Sequence, residues 1–578
     1  MTLDPQTQAN INTWLTGSYD QITKAAIQKM IDNNEETALT DSFYKSLEFG
    51  TGGLRGEMGI GSNRMNKYTV GAATQGLANY LKKSFPNEAI SVAIAHDSRN
   101  NSPFFAQTIA DIFSANGIKV FLFSALRPTP QLSFAIRYYG CKSGVMVTAS
   151  HNPREYNGYK AYWDDGCQVT APHDKNIITE VNAITDVKDI RFESNPDLIV
   201  KLGEETDAAY LDKVKTLSVR PDVIARQKDL TIVFSPLHGT GITLVPKTLE
   251  LFGFTNVHIV QEQATPDGNF PTVVYPNPEE QEAMTLALKK AAEVNADLVL
   301  ATDPDADRVG IAAKNEKGEF VLLNGNQTAT LLCYYMLNAW KETGKITGKE
   351  FIVKTIVTTD ILDKIAEKYG VKSYTTLTGF KFIGEKIKSL EGKETYIVGG
   401  EESYGYLAGD FVRDKDAVSS CALIAEMTAY AKDKGLTLFD LLYEIYATFG
   451  YYKEHLISLT KKGKAGAEEI NEMMEQLRKN PPQTICGEKV TQLLDYQLRQ
   501  ATNLTTQQVT AIELPKSNVI QLITEKGTKV TARPSGTEPK IKFYFSVNAP
   551  LSNKQDADKV TQLLDAKIRQ IITEMKLA

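Results

Sequence analysis

The sequence predicts an α/β fold: three successive mixed α/β domains of similar topology, followed by a smaller C-terminal α+β domain. Three observations predict it. The chain has 578 residues, well beyond the size at which one hydrophobic core keeps growing, so it must divide. Short apolar runs alternate with stretches whose apolar residues recur at helical spacing, and this rhythm returns three times. After about residue 456 the texture changes to a polar helix, a turn and short strand-like runs. The expected divisions are 1–205, 206–323, 324–455 and 456–578.

Each element has its own justification. Residues 7–40 carry Trp14, Leu15, Tyr19, Ile22, Ala26, Ile27 and Met30 at helical spacings. A glycine-dense segment, GTGGLRGEMGIG, runs from Gly50 to Gly61. The helical stretch VGAATQGLANYLKKSF leads to the apolar run SVAIAHD, ending at Asp97. Helical SPFFAQTIADIFSANG, the run IKVFLF, a helix from Thr129 and the run GVMVTAS complete the first unit. The second has TIVFS, a helix near 241–252, NVHIVQ, a helix near 279–295 and DLVLATD, ending at Asp303. The third has FIVKTIV, a helix from Asp360, VKSYTTL, FKFIGEKIKSL and YIVGG, ending at Gly400. Each closes on a strand that opens into an unusual loop, and ligands of α/β sheets sit at the carboxyl ends of strands. The last domain reads as the helix KKGKAGAEEINEMMEQLRKN, the turn NPP, the runs NVIQLIT, TKVTARPS and KIKFYFSV, and an amphipathic helix from about 556.

Charge and cysteines narrow the partners. Lys and Arg number 64 against 70 Asp and Glu, a formal net charge of −6, which argues against a nucleic-acid or anionic-membrane surface. Anionic small substrates would need a local basic pocket. The five cysteines, Cys141, Cys167, Cys333, Cys421 and Cys486, are widely spaced and form no C-x-x-C pair. Neither a disulfide framework nor a structural zinc site is indicated, and a reducing compartment is expected. The first residues do not resemble a signal peptide, and no stretch reaches about 18 uncharged apolar residues, so no membrane span is expected. The cytoplasm is the expected location.

Four motifs carry chemistry. The sharpest is Asp303-Pro304-Asp305-Ala306-Asp307-Arg308 after DLVLAT. Three carboxylates at alternate positions converge on one hard cation if the backbone curls, and their repulsion must be offset by positive charge. An EF-hand begins with this spacing, but its glycine and distal glutamate are missing. The second is Thr148-Ala149-Ser150-His151-Asn152-Pro153, with Asn157-Gly158-Tyr159-Lys160 downstream. A hydroxyl on Ser150 would stand above the sheet, although the flanking glycines of a nucleophile elbow are absent. Lys160 could return toward it as a proton carrier, if desolvation or positive neighbours bring its pKa toward neutrality. His151 could donate to a phosphate oxygen. Taken alone, SHNP suits an ordinary turn with a capping serine equally well.

The third motif is Gly399-Gly400-Glu401-Glu402-Ser403-Tyr404-Gly405, where a carboxylate and a hydroxyl suit sugar hydroxyls. Beside it, Arg413 and Lys415 suit either a phosphate or a salt-bridge cluster with Asp414 and Asp416. The fourth is Arg533-Pro534-Ser535-Gly536-Thr537-Glu538-Pro539-Lys540, whose arginine fork, hydroxyls and turn N–H groups suit phosphate. A plain β-turn would explain all but the arginine. No G-x-G-x-x-G follows a strand and no G-x-x-x-x-G-K-[ST] occurs, so dinucleotide oxidoreductases and P-loop kinases have no anchor.

With TASHNP and NGYK, DPDADR, GEESYG and RPSGTEPK in this order, the chain resembles the α-D-phosphohexomutases over nearly its whole length. That family includes phosphoglucomutases and phosphomannomutases, and in it three α/β domains and a smaller fourth surround one cleft. The resemblance implies a phosphoserine at Ser150, with Asp303, Asp305 and Asp307 holding one Mg2+ beside its phosphate, so that Ser150 joins the metal set. It implies that Arg308 and His151 orient the transfer, with Lys160 as acid/base and Arg55, in GTGGLRGEMG, near the phosphoserine. It places Thr378, Gly379 and Lys381 in a loop that reads sugar orientation, and Glu401 and Ser403 on sugar hydroxyls. Lys415, Arg533, Ser535, Gly536 and Thr537 would hold the phosphate that is not reacting. GEESYG resembles the glucose-handling members more than the GEMSGH and GEQSGH forms, whose histidine it lacks. The implied function is phosphoglucomutase, with glucose 1,6-bisphosphate as intermediate and candidate activator. Phosphomannomutase or phosphopentomutase is the alternative, and a non-catalytic sugar-phosphate-binding protein a distant third. Sugar phosphates are the expected partners, with no nucleic acid and no membrane.

Overall fold

The computed structural model describes residues 3–50, 52–461, 463–535 and 540–577. The chain divides into two compact units. One comprises Met1–Asn324, Phe380–Val398 and Ser403–Lys434; the other comprises Gly325–Gly379, Gly399–Glu402 and Gly435–Ala578.

The first unit opens with helices Pro5–Thr16, Gln21–Asp32 and Glu36–Phe43. Asp4 and Asp20 cap the first two by accepting backbone N–H bonds. The helices bury Ile11, Trp14, Ile27, Leu39 and Phe43 with Tyr68. A six-stranded sheet follows, built from β1 (Gly53–Glu57), β2 (Ser91–His96), β3 (Lys119–Phe123), β4 (Ser143–Val147), β5 (Tyr156–Trp163) and β6 (Ile199–Leu202). Its order is β1-β5-β4-β2-β3-β6, with β4, β2, β3 and β6 parallel and the β1–β5 edge antiparallel.

Both faces of that sheet are covered, which is why its central strands read as unbroken apolar runs. Val92, Ile94, Val145 and Val147 pack with Leu77, Ile109 and Phe113 on one side. Ala93, Ala95 and Met146 pack with Leu132, Ala135 and Ile136 on the other. Successive residues of β2 thus alternate between two cores.

The second sheet uses β7 (Ile232–Ser235), β8 (Val257–Ile259), β9 (Leu298–Thr302), β10 (Val309–Lys314) and β11 (Phe320–Leu323), in the order β11-β10-β9-β7-β8. Its core joins Val233, Val299 and Ala301 to Met284, Ala287 and Ala291 of helix Gln281–Glu293. Further along come β12 (Glu350–Thr355), β13 (Lys372–Thr376), β14 (Thr395–Glu401) and β15 (Gly405–Ala408). In the second unit β12 and β13 pair in parallel. The C-terminal region is antiparallel: β16 (Tyr451–Thr460), β17 (Thr484–Ile485), β18 (Glu488–Asp495), β19 (Gln500–Asn503), β20 (Val509–Ala511), β21 (Ile520–Thr524), β22 (Lys529–Pro534) and β23 (Lys540–Ala549). The order is β16-β23-β22-β21-β18-β19-β20, with β17 on β18, and helices Gly463–Lys479 and Ala557–Glu574 accompany it.

Three α/β stretches and a C-terminal α+β region are therefore present, as expected. All five cysteines are free. Among the described residues no helix is long and apolar enough to cross a membrane.

Candidate active site

Every residue of β4 is buried, and the strand delivers Thr148–Pro153 to its carboxyl end. The chain returns antiparallel in β5, which sets Lys160 opposite Met146. A hairpin, rather than a loop, thus brings Lys160 back to the Ser150 turn. Gly158 is needed for this approach, because a Cβ on it would lie 2.4 Å from the Thr148 carbonyl oxygen. Ser150 has a φ of 52°, a left-handed conformation that costs a residue bearing a side chain about 1–3 kcal/mol. Its N–H donates to Thr148 Oγ1 at 2.8 Å and its hydroxyl to Asp303 Oδ2 at 2.8 Å. His151 Nδ1 lies 3.1 Å from the same hydroxyl.

Asp303 stands just beyond β9, and the turn curls through Ala306 at a φ of 50°. Asp303 Oδ1 accepts the N–H groups of Asp307 and Arg308 at 3.1 and 3.0 Å. Thr240 N–H donates to the Pro304 carbonyl at 2.8 Å, bracing the turn. Asp303, Asp305 and Asp307 are buried, and one oxygen from each lies within 4.8 Å of the others. Asp305 Oδ2 accepts from Thr129 Oγ1 and Lys160 Nζ, both at 2.7 Å. Asp307 Oδ2 lies 3.2 Å from Lys160 Nζ and 3.1 Å from Lys415 Nζ. These two ammonium groups are the positive charge that the crowded carboxylates require.

Asp305 Oδ1 and Asp307 Oδ1 are buried and accept no hydrogen bond within the described residues. Buried carboxylate oxygens without donors are costly, and an oxygen-only donor set suits a hard divalent cation. The residues present therefore fit a metal site. Burial, reinforced by Asp305 and Asp307, drives Asp303 well above the ordinary carboxylate range. Burial pushes Asp307 upward too, but Lys160, Lys415 and Arg308 outweigh it and hold the group low.

Lys160 departs from expectation in one respect. Burial does lower its pKa, yet Asp305 and Asp307 more than reverse this, so the ammonium form is favoured rather than brought toward neutrality. Lys415, expected on the non-reacting phosphate, is buried against Asp307 and Asp414, 3.1 Å from each. Arg55, on β1 opposite Gly158, donates to Asn152 Oδ1 at 3.4 Å. Arg308 Nη1 donates to Glu279 Oε1 at 2.6 Å. Lys381 is half-buried; burial lowers its pKa, and Asp174, Cys167 and Glu385 oppose that shift. Ser403 is half-buried.

In the second unit, Gly379 N–H donates to Glu401 Oε1 at 2.8 Å, which ties the two expected sugar-reading segments together. Thr378 beside it is half-buried. Glu402 is raised to about 7 by burial and the neighbouring Glu401 charge. Arg533 is half-buried near the end of β22 and Ser535 is exposed beyond it. Gly536 and Thr537 lie outside the described residues.

The motifs did not point to Asp97, Arg99, Thr129 or Glu279. Thr148 Oγ1 donates to Asp97 Oδ2 at 2.6 Å, and Arg99 pairs with that carboxylate at 3.3 Å. The available signal was that SVAIAHD ends at Asp97, a strand terminus like those carrying the other motifs.

Three family models match the chain: phosphoglucomutase/phosphomannomutase alpha/beta/alpha domain I over residues 46–188, domain II over 208–318 and domain III over 324–449. A phosphoglucomutase of Staphylococcus haemolyticus is 37% identical over 541 residues, covering 93% of this chain and 96% of its own. One from Staphylococcus aureus is 36% identical over 558 residues, covering 96% and 98%. Among solved structures, the Paramecium phosphoprotein parafusin, a phosphoglucomutase, has a TM-score of 0.68 at 18% identity, over 92% of this chain and 96% of its own. That last likeness speaks for the fold alone.

Proposed function

The chain belongs to the phosphoglucomutase/phosphomannomutase family of intramolecular phosphotransferases and is closely related to bacterial phosphoglucomutases, and on that premise we propose that it interconverts α-D-glucose 1-phosphate and glucose 6-phosphate. The observation that carries the reading is the Ser150 hydroxyl, 2.8 Å from one of three clustered aspartates.

Phosphorylated Ser150 gives its phosphoryl group to the free 6-hydroxyl of glucose 1-phosphate. The bond from Ser150 Oγ to phosphorus breaks as the bond from the sugar oxygen forms, giving glucose 1,6-bisphosphate. The intermediate turns over, its other phosphoryl group returns to Ser150, and glucose 6-phosphate leaves. Asp303, Asp305, Asp307 and an oxygen on Ser150 would hold Mg2+, which supplies Lewis-acid charge to the transferring phosphoryl group. Arg55, His151 and Arg308 orient that group and balance its charge. The Lys160 ammonium gives its proton to Ser150 Oγ as that oxygen leaves and takes up the proton released by the sugar hydroxyl, and Lys415, beside Asp307, adds positive charge at the same place. Thr378, Gly379, Lys381, Glu401 and Ser403 read the sugar, while Arg533, Ser535, Gly536 and Thr537 hold the phosphate that is not reacting. The GEESYG segment resembles that of the glucose-handling members more than the GEMSGH form, which supports glucose over mannose, and phosphopentomutase is kept as the alternative activity.

The test is a coupled comparison of glucose, mannose, ribose and N-acetylglucosamine phosphates at matched concentrations. The expected result is the highest kcat/KM for glucose 1-phosphate. A higher value for mannose or ribose would replace the substrate, and no turnover of any would reject the activity.

A further inference from the structure

We propose that Arg99 is a positioning residue for Ser150: its guanidinium, paired with Asp97, fixes the turn that aims the nucleophilic hydroxyl. The proposal rests on the reading of Ser150 as the nucleophile.

Arg99 lies three residues beyond β2, and the side chains of Arg99 and Asp97 are fully buried. Its fork reaches four carbonyl oxygens of the Ser150 turn and the strand start behind it. Nη2 donates to Ser150 O at 2.6 Å and to Asn152 O. Nη1 donates to Pro153 O at 2.7 Å and to Tyr156 O at 3.0 Å. The Phe270 ring lies 5.1 Å from the guanidinium carbon. Asp97 Oδ1 accepts the Arg99 N–H at 2.9 Å and the Ser102 hydroxyl at 2.7 Å.

Both backbone polar groups of Ser150 therefore end on one ion pair. The carbonyl accepts directly from Arg99. The N–H reaches Asp97 through Thr148, whose Oγ1 accepts from Ser150 and donates to Asp97. A residue with a side chain persists in the left-handed region only where its surroundings over-determine it, and here those surroundings are one guanidinium, one carboxylate and one hydroxyl. An ion pair that merely stabilised the fold would have no need to converge on the carbonyls of this turn. Arginine is required because two terminal nitrogens in a rigid plane serve four acceptors, which the single nitrogen of lysine cannot do.

Phosphoryl transfer needs in-line alignment, and misplacement by about 1 Å costs on the order of a hundredfold. The experiment compares wild type, Arg99→Lys, Thr148→Val and Thr148→Ser with Mg2+ present. It measures single-turnover labelling of Ser150 by glucose 1,6-bisphosphate, kcat, KM for glucose 1-phosphate, and Tm. Arg99→Lys and Thr148→Val should slow labelling and kcat together by roughly 10- to 100-fold with KM within about threefold, while Thr148→Ser, which keeps the hydroxyl, stays near wild type. A lower Tm with labelling and kcat unchanged would overturn the proposal and leave Arg99 a fold-stabilising residue. Should Arg99→Lys fail to fold, unchanged labelling in folded Thr148→Val would overturn it equally. Ser150→Ala separates the two readings. An active Ser150→Ala overturns the nucleophile assignment, whereas an inactive one beside full-rate Arg99→Lys and Thr148→Val overturns only the positioning role.

Discussion

Asp305 and Asp307 each keep one buried carboxylate oxygen without a hydrogen-bond donor, while their other oxygens are taken by lysine and threonine. Asp305→Asn removes charge from the site while keeping nearly the same shape. It should lower kcat by at least about tenfold and weaken Mg2+ binding, because a neutral ligand holds a hard cation less firmly. Titration calorimetry with Mg2+ and steady-state rates check this; unchanged Mg2+ affinity would remove the residue from the metal set. At this scale the sequence was informative where chemistry is local. Alternate aspartates on a curled turn and a serine past a strand can be read from neighbours alone. Contacts joining distant segments could not be read that way. The Thr129–Asp305 bond spans 176 residues, Lys160–Asp305 spans 145 and Ser150–Asp303 spans 153. The two carboxylates that favour the Lys160 ammonium were not legible for the same reason, since they arrive from a distant segment of the chain.

Among the elements, strands buried on both faces were legible because they form apolar runs, and SVAIAH, SGVMV and LVLAT fall in β2, β4 and β9. β16 was not: Lys453, Glu454 and His455 break any apolar pattern, and its ten residues gain their order from pairing with β23 along the whole length. Glu454 on that strand makes a prediction. Burial raises it to about 7, with Asp360 adding to the rise and Thr359 and Lys529 opposing it. The folded state thus holds a proton that the unfolded chain, titrating near 4.5, gives up earlier. This contribution to stability is complete below the unfolded value and is lost as pH rises through about 7. Glu454→Gln should therefore raise the unfolding free energy at about pH 8 by roughly 1–3 kcal/mol and leave it nearly unchanged at about pH 4.5. Denaturant melts at both pH values decide it, and an equal shift at both would show that the carboxylate does not titrate in this way.

For the whole molecule, division into α/β stretches and a C-terminal α+β region followed from length, rhythm and the change of texture near residue 456. The antiparallel strands Glu488–Asp495, Gln500–Asn503 and Val509–Ala511 escaped notice because polar residues fill much of them. If Arg533 in this region grips the non-reacting phosphate, Arg533→Ala should weaken glucose 1-phosphate and glucose 6-phosphate alike. The loss would be about 1.5–3 kcal/mol, or roughly 10- to 150-fold, falling mainly on KM. Calorimetric binding of both sugar phosphates tests it, and unchanged affinity for both would take the arginine out of the binding site. Carriage of a phosphoryl group on Ser150 between two positions of one sugar can be followed by isotope labelling. Glucose 1,6-bisphosphate carrying labelled phosphorus is mixed with dephosphorylated enzyme and Mg2+, the reaction is quenched within single turnovers, and the labelled peptide is identified. Label is expected on Ser150, appearing at least as fast as kcat and chased into glucose 6-phosphate by unlabelled glucose 1-phosphate. Label on another residue, or on Ser150 more slowly than turnover, would contradict it.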